Sequence, residues 1–156
     1  MKEGLAGQLW GENHQIEPLF LESGTCPFGY GVTAGTGERD AILPSGGETV
    51  AEFRGVAYRR ASIERDYRSE DDPVYNADYE NVMDVVRKGG IIVVPTAIIT
   101  RGDPVFWQII TNGNNLAGTF RNDADTANAI DISSVASWFR GTSAAGDIAL
   151  LEVHIV

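Results

Sequence analysis

Arg87-Lys88-Gly89-Gly90-Ile91-Ile92-Val93-Val94-Pro95-Thr96-Ala97-Ile98-Ile99-Thr100-Arg101-Gly102-Asp103-Pro104-Val105-Phe106-Trp107 decides the fold class. A glycine pair breaks the chain, and the β-branched run after it favours extended backbone. Pro95 cannot donate to a ladder, so it ends that strand or sits at an edge. The second apolar run, Ala97 to Thr100, leads into Gly102-Asp103-Pro104, which reads as a turn between two core strands. This is the grammar of consecutive short strands, with no side chain suited to covalent chemistry.

The same grammar extends in both directions. Upstream, Asn81 to Arg87 reads as a strand that Lys88-Gly89-Gly90 turns or bulges into Ile91 to Val94. Gly29 to Thr33 reads as another strand, followed by Ala41-Ile42-Leu43, a Pro44-Ser45-Gly46-Gly47 turn, and Thr49 to Tyr58 with a bulge at Gly55. Downstream, Val105 to Thr111 and Leu116 to Phe120 flank Asn112-Gly113-Asn114-Asn115, a hairpin signal through Asn-Gly. Residues 121 to 134 are open between loop and short helix. Ala136 to Arg140 is a strand, and in the terminal strand Leu151, Val153 and Ile155 face inward while Glu152 and His154 face outward. The expected class is all-β: one antiparallel β-sandwich or small, jelly-roll-like barrel with an extended N-terminal arm.

The arm is residues 1–24, ahead of a β-rich domain over 25–156. It is polar and glycine-punctuated, but Trp10 and the Leu19-Phe20-Leu21 cluster suit a segment packed on a surface, its own or a neighbour's. Residues 59 to 80 read as a long charged surface loop, and its Tyr and Arg content is what contact surfaces use. The candidate contact residues are Trp10, Leu19, Phe20, Arg59, Arg60, Arg65, Tyr67, Arg68, Tyr75 and Tyr79.

A length of 156 residues is one domain. With 22 acidic and 12 basic residues the net charge is -10, which repels a phosphate backbone and argues against direct nucleic-acid binding. The single Cys26 excludes an internal disulfide framework. The opening Met1-Lys2-Glu3-Gly4-Leu5-Ala6-Gly7 lacks a signal-peptide core, and Ile91 to Ile99 is too short and interrupted to cross a bilayer, so no membrane partner is expected.

No catalytic, cofactor or metal site emerges. Gly35-Thr36-Gly37 and Ser45-Gly46-Gly47 lack the Gly-Lys-Ser/Thr ending of a phosphate loop. Cys26 has no basic neighbour to activate it and reads as a buried thiol. His14 and His154 have no ligand partner at i+2 or i+4. Asn122-Asp123-Ala124-Asp125-Thr126-Ala127-Asn128 alternates oxygen ligands as calcium loops do, but lacks their central glycine and twelfth-position glutamate, so its Asx side chains are expected to cap their own backbone. Trp10, Trp107 and Trp138 suit core or interface anchors better than stacking platforms.

The strand pattern resembles the structural cement, or capsid decoration, proteins of tailed bacteriophages. The resemblance rests on Pro27-Phe28-Gly29-Tyr30-Gly31-Val32, Phe53-Arg54-Gly55-Val56-Ala57, Arg87 to Phe106, and Ala136-Ser137-Trp138-Phe139 followed by Ala144-Ala145-Gly146 and Leu151-Glu152-Val153. They run in the family's order over residues 26 to 156. The charged loop Arg59 to Glu80 is longer than that pattern. The resemblance implies a virion protein on the outer surface of the capsid, assembled in the host cytoplasm. It implies a major capsid protein as partner, a homotrimer or else a dimer, and no enzyme activity. The alternatives are a fibre or tail module binding a host glycan through its tryptophans, and a β-barrel enzyme using its carboxylates.

Overall fold

A computed structural model describes residues 4–59, 74–78 and 82–156. The chain is all-β. Its strands are β1 (Leu9–Leu21), β2 (Thr25–Pro27), β3 (Gly31–Ala34), β4 (Asp40–Ile42), β5 (Phe53–Ala57), β6 (Val74–Asn76), β7 (Val82–Val93), β8 (Phe106–Gln108), β9 (Phe120–Arg121), β10 (Ala129–Asp131), β11 (Ala136–Arg140) and β12 (Ala149–His154). Two short 3-10 turns, Val50–Glu52 and Asp125–Ala127, complete the described elements.

The large sheet runs β1-β4-β3-β5-β7-β12-β11, and a further pairing of β1 with β7 closes its first five strands into a ring. Every pairing is antiparallel except β1 with β4. Barrel and sandwich therefore share one sheet. The ring encloses Leu19, Leu21, Cys26, Phe28, Val32, Ala41, Ala57, Tyr75, Met83 and Val85. Beyond it, β7, β12 and β11 pack against the small sheet β10-β8-β9 around a core that includes Trp107, Phe120, Ile132, Trp138 and Leu151.

One wall divides the two cores. On β5, Val56 faces the sandwich core and Ala57 the barrel core; on β7, Val86 and Val85 divide the same way. Successive strand side chains point to opposite faces, so a strand between two cores needs apolar residues in both phases.

The opening stretch carries β7 past that wall, with one face on the sandwich core and the other turned outward. β7 does not turn at Lys88-Gly89-Gly90 but runs through it as one 12-residue strand. Val86, Ile91 and Val93 all face the sandwich core, so the side-chain phase slips by one residue between Val86 and Ile91. The β1 register shifts at the same place, with Ile16 opposite Val86 but Gln15 opposite Lys88, as a β-bulge requires. Gly89 takes φ 120, a conformation suited to glycine.

The second apolar run is not a strand, contrary to expectation. Past Pro95 the backbone leaves the ladder, and Ile99 plugs the core while Ile98 is 58% exposed. The Ile99 N–H donates to Thr142 Oγ1 at 2.9 Å, and Thr142 N–H donates to Ile99 O at 2.9 Å. Thr100 to Asp103 is a β-turn closed at 3.0 Å, with φ 98 at Gly102 in the position a type II turn reserves for glycine.

Other differences are local. Thr49 to Tyr58 begins as a 3-10 turn, with Glu52 Oε2 accepting from the Thr49 N–H at 2.7 Å, and becomes a strand only at Phe53. The Asn-Gly hairpin forms with Asn112 and Asn115 bonded to each other at 3.0 Å both ways. Its ladder is shorter than expected because Ile109 and Ile110 both donate to Asn128 O. Residues 129–131 form β10 rather than a helix. Within 59–80, residues 74–76 pair with β2; residues 60–73 and 79–81 lie outside the described residues.

Residues 9–21 are a strand of the sheet. The N–H groups of Phe20 and Glu22 point to the β4 side, donating to Arg39 O and Ala41 O at 2.8 and 3.0 Å. By the two-residue period Pro18 lies on that same side, away from β7, so its missing N–H removes no bond to β7.

Candidate functional site

The candidate contact residues separate once placed. Leu19 (1% exposed) and Tyr75 (0%) are barrel-core side chains, so neither can meet a partner at the surface. The one-residue alternation of β1 explains the first: Leu19 and Leu21 point in, and Phe20, 38% exposed, points out. Tyr75 packs edge-on against Phe28 with ring centroids 5.1 Å apart, and its hydroxyl donates to Tyr58 O. Arg59 is half-buried and turned inward: its Nε donates to Ala6 O at 2.8 Å, and its guanidinium lies 5.0 Å from the Phe28 ring. Arg60, Arg65, Tyr67, Arg68 and Tyr79 lie outside the described residues.

Trp10 and Phe20 therefore carry what the described part of that set presents. Around Phe20, the outer side of β1 also exposes Ile16 (42%), and the Arg39 guanidinium lies 5.8 Å from the Phe20 ring. His14, Gln15, Ile16, Glu17, Pro18 and Arg87 line an open depression of about 530 Å³ there.

Trp10 belongs to a different surface. It pairs with Gly90 on β7, where its indole fills the space a side chain would take: a Cβ on Gly90 would lie 2.6 Å from Trp10 Nε1. β1 bulges outward between Trp10 and Gln15, with φ 78 at Gly11 and 62 at Asn13. His14 folds back over Gly89, its Nε2 2.8 Å from Trp10 O and 3.2 Å from Gly90 O. Across Gly90 the indole reaches Phe139, at 4.4 Å between centroids and 40° between planes. Phe139 is 46% exposed, and the Arg101 guanidinium lies 5.5 Å from its ring.

Phe139 and Arg101, which pack beside Trp10, fall outside the candidate contact set read from the sequence. Phe139 was legible in part, since placing Ala136 and Trp138 inside leaves Ser137 and Phe139 outside. Arg101 carries no such signal, because its position comes from the Thr100–Asp103 turn.

The remaining polar clusters are structural. Trp107 and Trp138 are 0% and 4% exposed, so neither can stack a glycan. Burial pushes the Cys26 thiol far above its ordinary pKa. In the Asx loop, Asp123 Oδ1 accepts from Arg121 Nε at 2.8 Å and from Asp125 N–H at 3.0 Å. Asp125 accepts from Gln108 Nε2 at 2.7 Å and from Asn112 Nδ2 at 3.2 Å. The Gln108 bond leads in holding the Asp125 carboxyl below the usual range, against the cost of burial. These bonds hold Asp125, Thr126 and Ala127 in three successive left-handed conformations, φ 44, 56 and 72, which non-glycine residues seldom adopt. Among the described residues no group of three His, Cys, Asp or Glu is placed to hold a metal ion.

The family described as structural cement protein (E217 gp24/Pam3 gp6) matches residues 1–154. No curated protein matches. A chain of a solved structure described as "The capsid of Myoviridae Phage XM1" has the same fold, with a TM-score of 0.77 at 14% identity, over 99% of this chain and 92% of that one. A β-sheet protein with two cores on one wall, matched over nearly its whole length, belongs to the phage structural cement protein family, whose members are virion capsid components.

Proposed function

We propose that the protein binds the outer surface of the expanded head, bridges neighbouring major capsid protein subunits and stabilises the shell against internal DNA pressure. The observation that carries this is the family match over residues 1–154. The architecture suits a mechanical part. β7 is paired on both edges, and its Val85 and Val86 face the two cores, so a load applied at one sheet reaches both cores without a hinge. The protein acts without catalysis or cofactor and does not contact nucleic acid, in keeping with its net charge of -10. It binds as a small closed oligomer, a trimer in preference to a dimer, because several weak contacts on one symmetric site multiply into avidity. The N-terminal arm, through Trp10 and Phe20, and the loop carrying Arg60, Arg65, Tyr67, Arg68 and Tyr79 form the contacts, while Leu19, Tyr75 and Arg59 hold those segments in place.

The test is to add purified protein to emptied, expanded shells of the cognate major capsid protein. Saturable decoration with a rise in rupture temperature is expected. Undecorated shells that rupture at an unchanged temperature would overturn the proposal, and sedimentation velocity of the free protein decides trimer against dimer.

A further inference from the structure

The outward face of the β7-β12-β11 sheet is an apolar strip with unpaired positive charge. Pairing fixes which residues share that face. Lys88, Gly90 and Ile92 of β7 lie opposite His154, Glu152 and Leu150 of β12, and Glu152 lies opposite Ser137 of β11. Their partners in the opposite phase, Ile91, Leu151 and Val153, are buried in the sandwich core. The strip presents Phe139 (46% exposed) and Val94 (39%), with Trp10 and Leu150 half-buried between them.

Charge says what fits it. Arg101 lies over the Phe139 ring, and Lys88 is exposed two residues along β7 from the glycine that Trp10 crosses. Among the described residues neither cation has a carboxylate within ion-pair distance. Glu152 shares this face but reaches neither cation, so in a chain with 22 acidic residues the two cations beside the aromatic pair leave these residues net positive and mark a place where further carboxylates come from elsewhere. Lys88 and Arg101 outnumber Glu152 on this face, so a two-fold contact of the face with itself would bring two net-positive strips together, which disfavours a second copy as occupant. Trp and Arg are also the residue types that most often carry binding energy at an interface.

From this placement we infer that the Trp10–Phe139 face, with Arg101 and Lys88, docks an acidic surface of the shell subunit that brings an apolar side chain to Phe139. The inference rests on the proposed function and deepens it by naming the face. It differs from the Phe20 side of β1, which is separated from it along the strand by the bulge at Gly11 to His14.

The experiment compares wild type with Arg101→Glu, Lys88→Glu and Phe139→Ser for co-sedimentation with emptied, expanded shells, with Ile110→Ser, in the loop after β8, as the control. All four positions are exposed, and melting temperature and sedimentation coefficient are measured for each. Each of the first three is expected to weaken binding by about tenfold or more, with wild-type melting and oligomeric state, while the control binds as wild type. Raising the salt should weaken wild-type binding and affect the charge reversals less. If wild type decorates shells and the three variants decorate them equally, this face is overturned and the cement function stands. If the variants change the oligomeric state, the face is a contact between copies and the shell assignment is wrong. If wild type does not bind, the proposed function falls and this face with it. Should Phe139→Ser lower the melting temperature, the two charge reversals decide.

Discussion

Gly90 has no side chain, and the indole of Trp10 occupies the place where one would be. A Cβ there would also lie 2.7 Å from Trp10 O, so a larger residue must push back both the ring and the β1 backbone. Gly90→Val is expected to cost about 1–3 kcal/mol, the range for overpacking a tight contact. Thermal unfolding should show it as a loss of several degrees, and an unchanged melting temperature would mean the indole does not rest there. Asp125 makes a second prediction. Hydrogen bonds, that of Gln108 foremost, hold its carboxyl below the ordinary range, so folding favours the charged form. For a lowered carboxylate the added stability is complete above the unfolded value of about 3.9 and is lost as pH falls through the folded value. Asp103 and Asp123 are shifted the same way. Asp125→Asn should therefore melt lower at pH 7 and lose less than wild type between pH 7 and pH 3. An acid limb parallel to that of wild type would count against the role given to Asp125.

β1 shows how alternation assigns adjacent residues to different tasks. Leu19 is buried in the barrel and Phe20 lies outside it. Leu19→Ala should cost about 2–5 kcal/mol as a core truncation, while Phe20→Ala should stay within about 0.5 kcal/mol as a surface change. Urea midpoints at constant m-value would separate the two, and equal midpoints would contradict the strand's orientation. The same element shows where sequence reading stops. Leu19-Phe20-Leu21 is legible as in-out-in, but which β1 residues meet β7 depends on a bulge that skips Gly11 to His14, and no local period encodes it. Tyr75 differs from expectation for a related reason: its charged neighbours signal surface, yet pairing with Cys26 across β2 and β6 carries it inside. In the Ile98-Ile99 run β-branched composition signals a ladder, but Pro95 and the Thr100–Asp103 turn leave Ile99 as the one fully buried isoleucine there. Strand chemistry at Asn112-Gly113 and in the C-terminal alternation was readable because those signals are local.

At the scale of the molecule the wall of β5 and β7 contributes side chains to both cores, so the two are expected to unfold as one unit. The chain carries its own probes for this once Trp10 is replaced by Phe: Cys26 sits in the barrel core, and the two remaining tryptophans, Trp107 and Trp138, in the sandwich core. Thiol protection and tryptophan fluorescence should be lost at one denaturant midpoint, as two-state unfolding requires. Two resolved midpoints would show that the barrel and the sandwich unfold separately. The all-β class was legible from punctuation alone. That barrel and sandwich coexist was not, because the β1–β7 pairing that closes the ring joins residues far apart in sequence.

Pro18 bears on how many copies of this protein remain separate in solution. A strand with a bare outer edge is a template on which another strand can be laid, and the risk rises with concentration, which any assembling protein must reach. Among the described residues no strand pairs with the β4 side of β1 ahead of Phe20, and there the proline removes a donor that a copied strand would need, in a ladder where donors alternate with acceptors. The ring can thus be left unzipped for part of one strand without inviting the end-to-end growth that open sheets suffer, and association is left to the faces, where charge and shape can select the partner.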